Sequence, residues 1–221
     1  MESKSSKTNE MQVIVFPYPI QGHINPMLQL SKQLASRGLK VTLVTTSSYS
    51  SKLKELQSRS ITIETIADGN DEATTASNAD AQTQRFDDVG RKSLAQLIQK
   101  KIGLLGHNNN IKCLIYDSSI TWALDVAKKF GIYGASYCTQ SCLVSLIYYQ
   151  VYKGILSAPI KEPKKCVDEL PLIEVENMPS FVREVGVYPT IEKIVVSQFS
   201  NIGDADWRFF NSFDCLESEI L

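Results

Sequence analysis

The stretch over residues 13–26 most strongly limits what this chain can fold into. Residues 13–16 are apolar, mostly β-branched and followed by prolines, which predicts a short buried strand. Asn25 is a good N-cap and Pro26 suits the first position of a helix, so we predict that a helix begins there. His23 is then expected at the tip of the intervening loop, at the carboxyl end of the first strand. In open α/β sheets, ligands bind at this edge.

Strand and helix patterns alternate along the rest of the chain. Apolar, β-branched runs predict five more strands, and amphipathic spacing predicts helices between them. This alternation favours an α/β fold with a doubly wound, mostly parallel sheet of the Rossmann-like type, in one domain over residues 11–221. Residues 1–10 are hydrophilic and are expected to form a disordered tail. The further strands are predicted at residues 40–46, 61–66, 113–116, 133–137 and 207–210.

The common strand order of this fold, 3-2-1-4-5-6, places strands one and four side by side at the point where the order reverses. His23 follows strand one and Asp117 ends strand four, so we predict that both side chains reach the same crevice. An imidazole that is hydrogen-bonded to a carboxylate at one ring nitrogen can accept a proton at the other. The pair is therefore a candidate general base, and a purely structural histidine is the alternative interpretation.

Two polar residues follow the predicted fifth strand. Thr139 and Gln140 are predicted to begin the next helix, directly after the carboxyl end of that strand. Because the carboxyl ends of parallel strands share one edge of the sheet, both residues are candidates for lining a ligand pocket.

Several kinds of chemistry find no support in the sequence. No Gly-x-Ser-x-Gly motif accompanies the histidine, so the attacking group is expected to belong to the substrate rather than to the protein. The first loop contains only Gly22, which argues against a dinucleotide site and against a P-loop. Cys138 and Cys142 have no partners at metal-binding spacing, so no metal site is predicted.

Composition argues against several classes of partner. The net charge is -1, which provides no electrostatic attraction for nucleic acid. No apolar run is long enough to span a bilayer, and the start of the chain lacks the apolar core of a signal peptide. The five cysteines are scattered and odd in number, which is typical of reduced thiols in a cytoplasmic protein.

Residues 16–27, Phe-Pro-Tyr-Pro-Ile-Gln-Gly-His-Ile-Asn-Pro-Met, closely resemble the amino-terminal signature of plant UDP-dependent glycosyltransferases of secondary metabolism, glycosyltransferase family 1. Within this family, the sequence is most similar to the subgroup that glucosylates carboxylic acids and phenols, including salicylate-type acids. The resemblance covers essentially everything after the hydrophilic start. It continues through residues 41–46, 114–118, 139–142, 170–172, 178–181 and 210–217.

This resemblance implies a function and a set of site residues. Family members have the GT-B architecture, in which an amino-terminal Rossmann-like domain holds the acceptor and a carboxy-terminal one binds the UDP-sugar. By resemblance, His23 deprotonates the acceptor, Asp117 is its partner, and glucose passes from UDP-glucose with inversion. No metal or cofactor is implied, and the acceptor is a phenol, a carboxylic acid or a terpenoid. Position at the sheet edge and resemblance together assign acceptor binding to Ile20, Gln21, Gly22, Thr139 and Gln140.

The sequence departs from this family in its length. It is much shorter than the two-domain proteins, and the signature box of their donor-binding domain does not occur in it. We therefore expect an amino-terminal fragment of such an enzyme, monomeric and cytoplasmic, that is inactive alone because the UDP-sugar site is on the missing domain. The alternative is a non-catalytic small-molecule-binding or interaction module derived from such an enzyme.

Overall fold

A six-stranded parallel sheet organises the chain in the computed structural model, which describes residues 11–53, 58, 60–69, 79–106, 110–164, 166, 172–218 and 220. Its strands are β1 (Gln12–Phe16), β2 (Lys40–Thr46), β3 (Ile61–Ile66), β4 (Ile111–Asp117), β5 (Tyr133–Cys138) and β6 (Trp207–Phe210). All neighbours run parallel in the order β3-β2-β1-β4-β5-β6, which confirms the predicted fold class and strand order.

Helices cover both faces of this sheet. They are α1 (Gln21–Ser36), α2 (Ser47–Leu53), α3 (Ala79–Arg85), α4 (Arg91–Leu105), α5 (Trp122–Lys129), α6 (Cys142–Tyr152), α7 (Ser180–Arg183) and α8 (Pro189–Ser197). A π-helical turn, Phe86–Gly90, joins α3 to α4. One face is covered by α4 and α5, with Leu94 and Leu124 in the core, and the other by α1 and α2, with Met27 and Leu53. None of the described helices is long and apolar enough to cross a membrane.

The first helix begins earlier than the sequence predicts. Asn25 and Pro26 do not start a helix, so that prediction is wrong: α1 begins at Gln21, and the extended Ile20 is its N-cap (φ -134°, ψ 142°). A proline removes only one intrahelical bond, here the one that its missing N–H would make to the carbonyl group of Gly22. Because the other bonds and the burial of α1 against the sheet remain, the helix runs through the proline.

His23 therefore lies in the first turn of α1 rather than at the tip of a loop. Its backbone N–H and that of Ile24 both donate to the carbonyl oxygen of Ile20, at 2.9 and 3.0 Å. Regular helical structure thus fixes the backbone from which the imidazole projects. Since β1 and β4 are neighbours, with Phe16 paired to Tyr116, this turn lies next to the end of β4.

The loop between β5 and α6 is longer than predicted. Thr139 and Gln140 precede α6 and do not begin it, so that predicted helix start is also wrong. Ser141 is the N-cap instead, and its side-chain oxygen accepts a hydrogen bond from the backbone N–H of Val144 at 3.3 Å. A serine in front of an apolar helical run is a preferred N-cap, which explains the later start. Thr139 and Gln140 remain at the carboxyl edge of the sheet.

Close packing of α5 against β5 leaves no room for a side chain at Gly134. A Cβ atom there would lie 2.3 Å from Cδ1 of Leu124, which is buried. We expect Gly134→Ala to lower the free energy of unfolding by about 1–3 kcal/mol, because Leu124 has to leave its place in the core. Urea unfolding of the purified chain measures this change.

Gly103 provides the matched control for that substitution. It lies inside α4, and the space around its Cβ position is open. Gly103→Ala is expected to stabilise the chain by up to about 1 kcal/mol, since alanine has the higher helix propensity. Equal effects of the two substitutions would contradict the packing explanation.

Candidate active site

The structure brings His23 and Asp117 into direct contact. Nδ1 of His23 lies 2.7 Å from Oδ2 of Asp117, where the ends of β1 and β4 meet. The side chain of Asp117 has no solvent exposure, whereas 21% of the His23 side chain is exposed. The predicted juxtaposition is confirmed, with the carboxylate inside the protein and the imidazole towards its surface.

The carboxylate of Asp117 is held at both of its oxygens. Oδ1 accepts a hydrogen bond from the backbone N–H of Ser119 at 2.9 Å, while Oδ2 faces His23. An ionised carboxylate can only accept, so the proton between the two side chains is assigned to Nδ1 of the imidazole. The lone pair of the neutral ring is then on Nε2, which is the arrangement that a general base requires.

Two opposing effects act on the pKa of His23. Burial of the ring lowers this pKa, because the charged form loses contact with water. The hydrogen bond to Asp117 and the negative charge of that carboxylate raise it, and together they outweigh burial, so the pKa of His23 lies above the ordinary value for histidine. The imidazole accordingly takes up a proton more readily than a free one does.

Two further side chains contact this imidazole. The hydroxyl oxygen of Thr139 lies 3.3 Å from Nδ1 of His23, so the structure brings Thr139 to the site. The ring of Tyr18 lies 5.6 Å from that of His23, measured between centroids. Sequence reasoning missed Tyr18, although it belongs to the same motif as His23, residues 16–27.

The other predicted binding residues lie along the same edge of the sheet. Ile20 is the N-cap of α1, Gln21 and Gly22 open its first turn, and 49% of Ile20 is exposed. Gln140 follows Thr139 in the loop, and its side-chain oxygen is buried without a hydrogen-bond partner among the described residues. Buried acceptors are usually paired, so this oxygen is suited to a donor group of a ligand.

A cavity of about 400 Å³ adjoins the imidazole through Tyr18. Its walls come from α3, the π-helical turn, the residues after β4 and α8. The lining includes the carboxylates of Asp80 and Asp87, the ammonium group of Lys193 and the indole of Trp122. These segments are far apart in the sequence, so no local pattern predicts that they meet.

Neutral donors hold the carboxylates of this cavity. Nε1 of Trp122 donates to Oδ1 of Asp87 at 2.8 Å, and the hydroxyl group of Thr190 donates to Asp80. Burial and, to a lesser extent, the neighbouring charge of Asp88 raise the pKa of Asp87 by more than the hydrogen bond from Trp122 and the nearby cations lower it. With two carboxylates and one ammonium group, the lining carries a net negative charge.

The described side chains form no group of three or more His, Cys, Asp or Glu residues that could hold a metal ion. The chemistry that the site offers is proton transfer at the imidazole and hydrogen bonding around it.

Comparisons with known proteins show what this chain is similar to in sequence. Residues 9–64 match a family model described as the N-terminal domain of glycosyltransferases. The chain is 38% identical over 214 residues to Mogroside I-E synthase of Siraitia grosvenorii, and 39% identical over 209 residues to UDP-glycosyltransferase 74F2 of Arabidopsis thaliana. These alignments cover 96% and 93% of this chain, but 46% and 44% of the two relatives.

The fold of the chain is also similar to that of a solved structure. The crystal structure of Os79 from O. sativa in complex with UDP matches with a TM-score of 0.81 and 29% identity, over 94% of this chain and 47% of that one. The chain spans about half the length of the curated relatives it matches. In sequence and fold it corresponds to their amino-terminal half.

Proposed function

We propose that this chain, which corresponds to the amino-terminal half of plant UDP-glycosyltransferases, is the acceptor-binding part of an inverting UDP-glucosyltransferase. The proposed reaction transfers glucose from UDP-glucose to a hydroxyl or carboxyl group of a small plant metabolite. The contact between His23 and Asp117 supports this proposal, because it pairs an imidazole with a carboxylate, and His23 belongs to residues 9–64, which match the glycosyltransferase domain.

In the proposed mechanism, Nε2 of His23 takes the proton of the acceptor hydroxyl. The acceptor oxygen forms a bond to the anomeric carbon of glucose while the bond from that carbon to UDP breaks, and the configuration inverts. UDP leaves with the electron pair of the broken bond. Asp117 keeps the imidazole in the required tautomer and stabilises the imidazolium that forms. No metal or cofactor takes part, and UDP-glucose is bound mainly by the second half of the enzyme.

The cavity beside Tyr18 is the proposed acceptor subsite. Tyr18, whose ring lies beside the imidazole, is part of its wall, and the net negative charge of the lining repels anions. A neutral phenol or terpenoid alcohol is therefore the proposed acceptor class, and carboxylic acids, which the resemblance also implies, are the weaker acceptors.

A fusion protein tests the proposed function. Residues 1–221 are joined in frame to the carboxy-terminal half of UDP-glycosyltransferase 74F2 and incubated with UDP-glucose and a panel of phenols, terpenoid alcohols and carboxylic acids. We expect a glucoside of at least one acceptor, detected by mass spectrometry. The carboxy-terminal half alone is the control and should form none. A folded fusion that glucosylates no acceptor would contradict the proposal.

We also propose that the enzyme is monomeric and cytoplasmic. All five cysteines are free thiols, and Cys215 is the exposed one among them, which fits a reducing compartment. Light scattering on the fusion and the location of a fluorescently tagged chain in plant cells test these two statements. A stable dimer, or a tagged chain that is secreted, would contradict them.

Removing a carboxylate from the cavity is expected to change acceptor selectivity. In the fusion, Asp87→Asn should raise kcat/KM for a carboxylic acid about tenfold relative to a neutral phenol, because a repulsion between like charges is lost. Asparagine keeps an oxygen that can accept the hydrogen bond from Trp122. The ratio of the two kcat/KM values measures the effect.

Asp88→Asn is the matched control for this change. Asp88 loses the same charge one residue away, at an exposed position that does not line the cavity. Its selectivity ratio is expected to stay within about twofold of the parent ratio, because this exposed charge is screened from the ligand and acts on the cavity only weakly, through Asp87. If Asp87→Asn left the ratio as unchanged as the control does, the cavity would not be the acceptor subsite.

A further inference from the structure

The loop between β5 and α6, residues 139–141, is held by a segment that follows β6. Asn211 binds the start of the loop: its backbone N–H donates to the carbonyl oxygen of Cys138 at 3.0 Å, and its Nδ2 donates to that of Thr139 at 3.2 Å. Glu217 binds the other end, where α6 begins. Both ends of the loop are therefore tied to the same segment.

The carboxylate of Glu217 lies at the N-terminus of α6. Its Oε2 accepts from the backbone N–H of Cys142 and its Oε1 from that of Leu143, each at 2.9 Å. The hydroxyl group of Ser212 also donates to Oε2. The first N–H groups of a helix have no partners within the helix and carry partial positive charge, so a carboxylate both satisfies and neutralises them.

Glu217 is held as a buried anion, with 9% of its surface exposed. Burial by itself raises the pKa of a carboxyl group. Here the hydrogen bonds from Ser212, Leu143 and Cys142 outweigh burial and bring the pKa of Glu217 below its ordinary value. The side chain is therefore ionised at neutral pH, and its removal leaves two backbone N–H groups without their partner.

We propose that Asn211 and Glu217 are positioning residues of the transferase, because they hold the loop that places Thr139 against His23. The hydroxyl oxygen of Thr139 lies 3.3 Å from Nδ1, the nitrogen that donates to Asp117. It is thus a second acceptor for the same N–H, and displacement of the loop would leave the imidazole less firmly oriented. This inference rests on the proposed function, since it concerns the orientation of the base.

A cap that only stabilises α6 would behave differently in experiments. Such a cap contributes to the free energy of unfolding, but the effect of its removal on kcat does not depend on the residue at position 139. Positioning predicts an energetic coupling between Glu217 and Thr139 in catalysis. A double-mutant cycle measures this coupling directly.

The test measures kcat of the fusion with Glu217→Gln, Thr139→Val and both substitutions together. We expect Glu217→Gln to lower kcat about tenfold in the parent but less than about threefold when residue 139 is already valine. KM for UDP-glucose should not change. Equal losses in both backgrounds, or an unchanged kcat, would overturn the proposal and leave Glu217 as a structural cap.

Glu192→Gln is the matched control. The Glu192 carboxylate accepts from the backbone N–H groups of Gly186 and Tyr188, at 2.9 and 3.1 Å, at the N-terminus of α8. Any effect of this substitution should be the same with threonine or valine at position 139. If Glu192 were coupled to Thr139 as strongly as Glu217 is, the positioning role of Glu217 would be overturned.

A second readout uses this chain alone and does not depend on sugar transfer. NMR titration gives the pKa of His23, which Glu217→Gln is expected to lower, because the Thr139 oxygen accepts a stronger hydrogen bond from the charged ring than from the neutral ring and this difference is lost. A pKa of His23 that stays at the parent value would overturn the inference. An inactive fusion, by contrast, would contradict the proposed function and not this contact.

Discussion

Replacing His23 with alanine is expected to lower kcat/KM of the fusion for a phenol by about 10²–10⁴-fold, the usual contribution of a general base. A phenol has a pKa of about 10 and keeps its proton near neutral pH, so its oxygen is a poor nucleophile without a base. In the structure, the imidazole is paired with a buried carboxylate, and its pKa is raised, which suits this task. The rate of glucoside formation, followed by mass spectrometry, measures the loss.

His107→Ala is the matched control, since His107 is the only other histidine in the sequence. It is expected to leave the rate of glucoside formation at the parent value. Because His23→Ala also leaves Asp117 buried without the imidazole, urea unfolding of each variant establishes that the protein remains folded. A folded His23→Ala variant with the parent rate would show that His23 is not the base.

Asp117→Asn is expected to lower kcat for a phenol by about 10²–10³-fold. Asparagine has nearly the same shape, and its oxygen can still accept from Ser119. Its NH₂ group can donate to Nδ1 of His23, however, and this favours the tautomer with the proton on Nε2. The ring then presents a proton where the acceptor hydroxyl needs a lone pair.

The same substitution should change the pH dependence in a definite direction. The base is active when neutral, so kcat/KM of the parent rises as the pH increases through the raised pKa of His23. Loss of the Asp117 carboxylate removes the effects that raise this pKa and leaves burial, which lowers it. The acid limb of the profile is therefore expected at lower pH, while the plateau falls. If the acid limb of the Asp117→Asn profile stayed at the pH of the parent, the pairing of Asp117 with His23 would be contradicted.

The strands and the central pair could be predicted from the sequence because each depends on a simple rule. Buried β-branched runs mark short strands clearly, and the predicted segments fall within two residues of the observed bounds. The common order of strands in this fold then brings His23 and Asp117 together, although they are far apart in the chain. The role of each side chain in catalysis is still a proposal.

Other parts of the site depend on contacts that one sequence does not encode locally. Pro26 follows a good N-cap residue, yet packing of α1 on the sheet moves the helix start to Gln21. Two contacts join distant segments: the one between Asp87 and the Trp122 indole, and the one between Glu217 and α6. No periodicity or motif marks such contacts, so the cavity beside Tyr18 and the loop contacts appear only in three dimensions.

Proton removal by His23 is tested most directly with two acceptors that share one ring, phenol and benzoic acid. The phenol has to lose a proton during transfer, whereas a carboxylic acid with a pKa of about 4 is already ionised near neutral pH. We expect His23→Ala to lower kcat/KM by about 10²–10⁴-fold for the phenol but by less than about tenfold for the acid. Equal losses for both acceptors would contradict a role of His23 as the base.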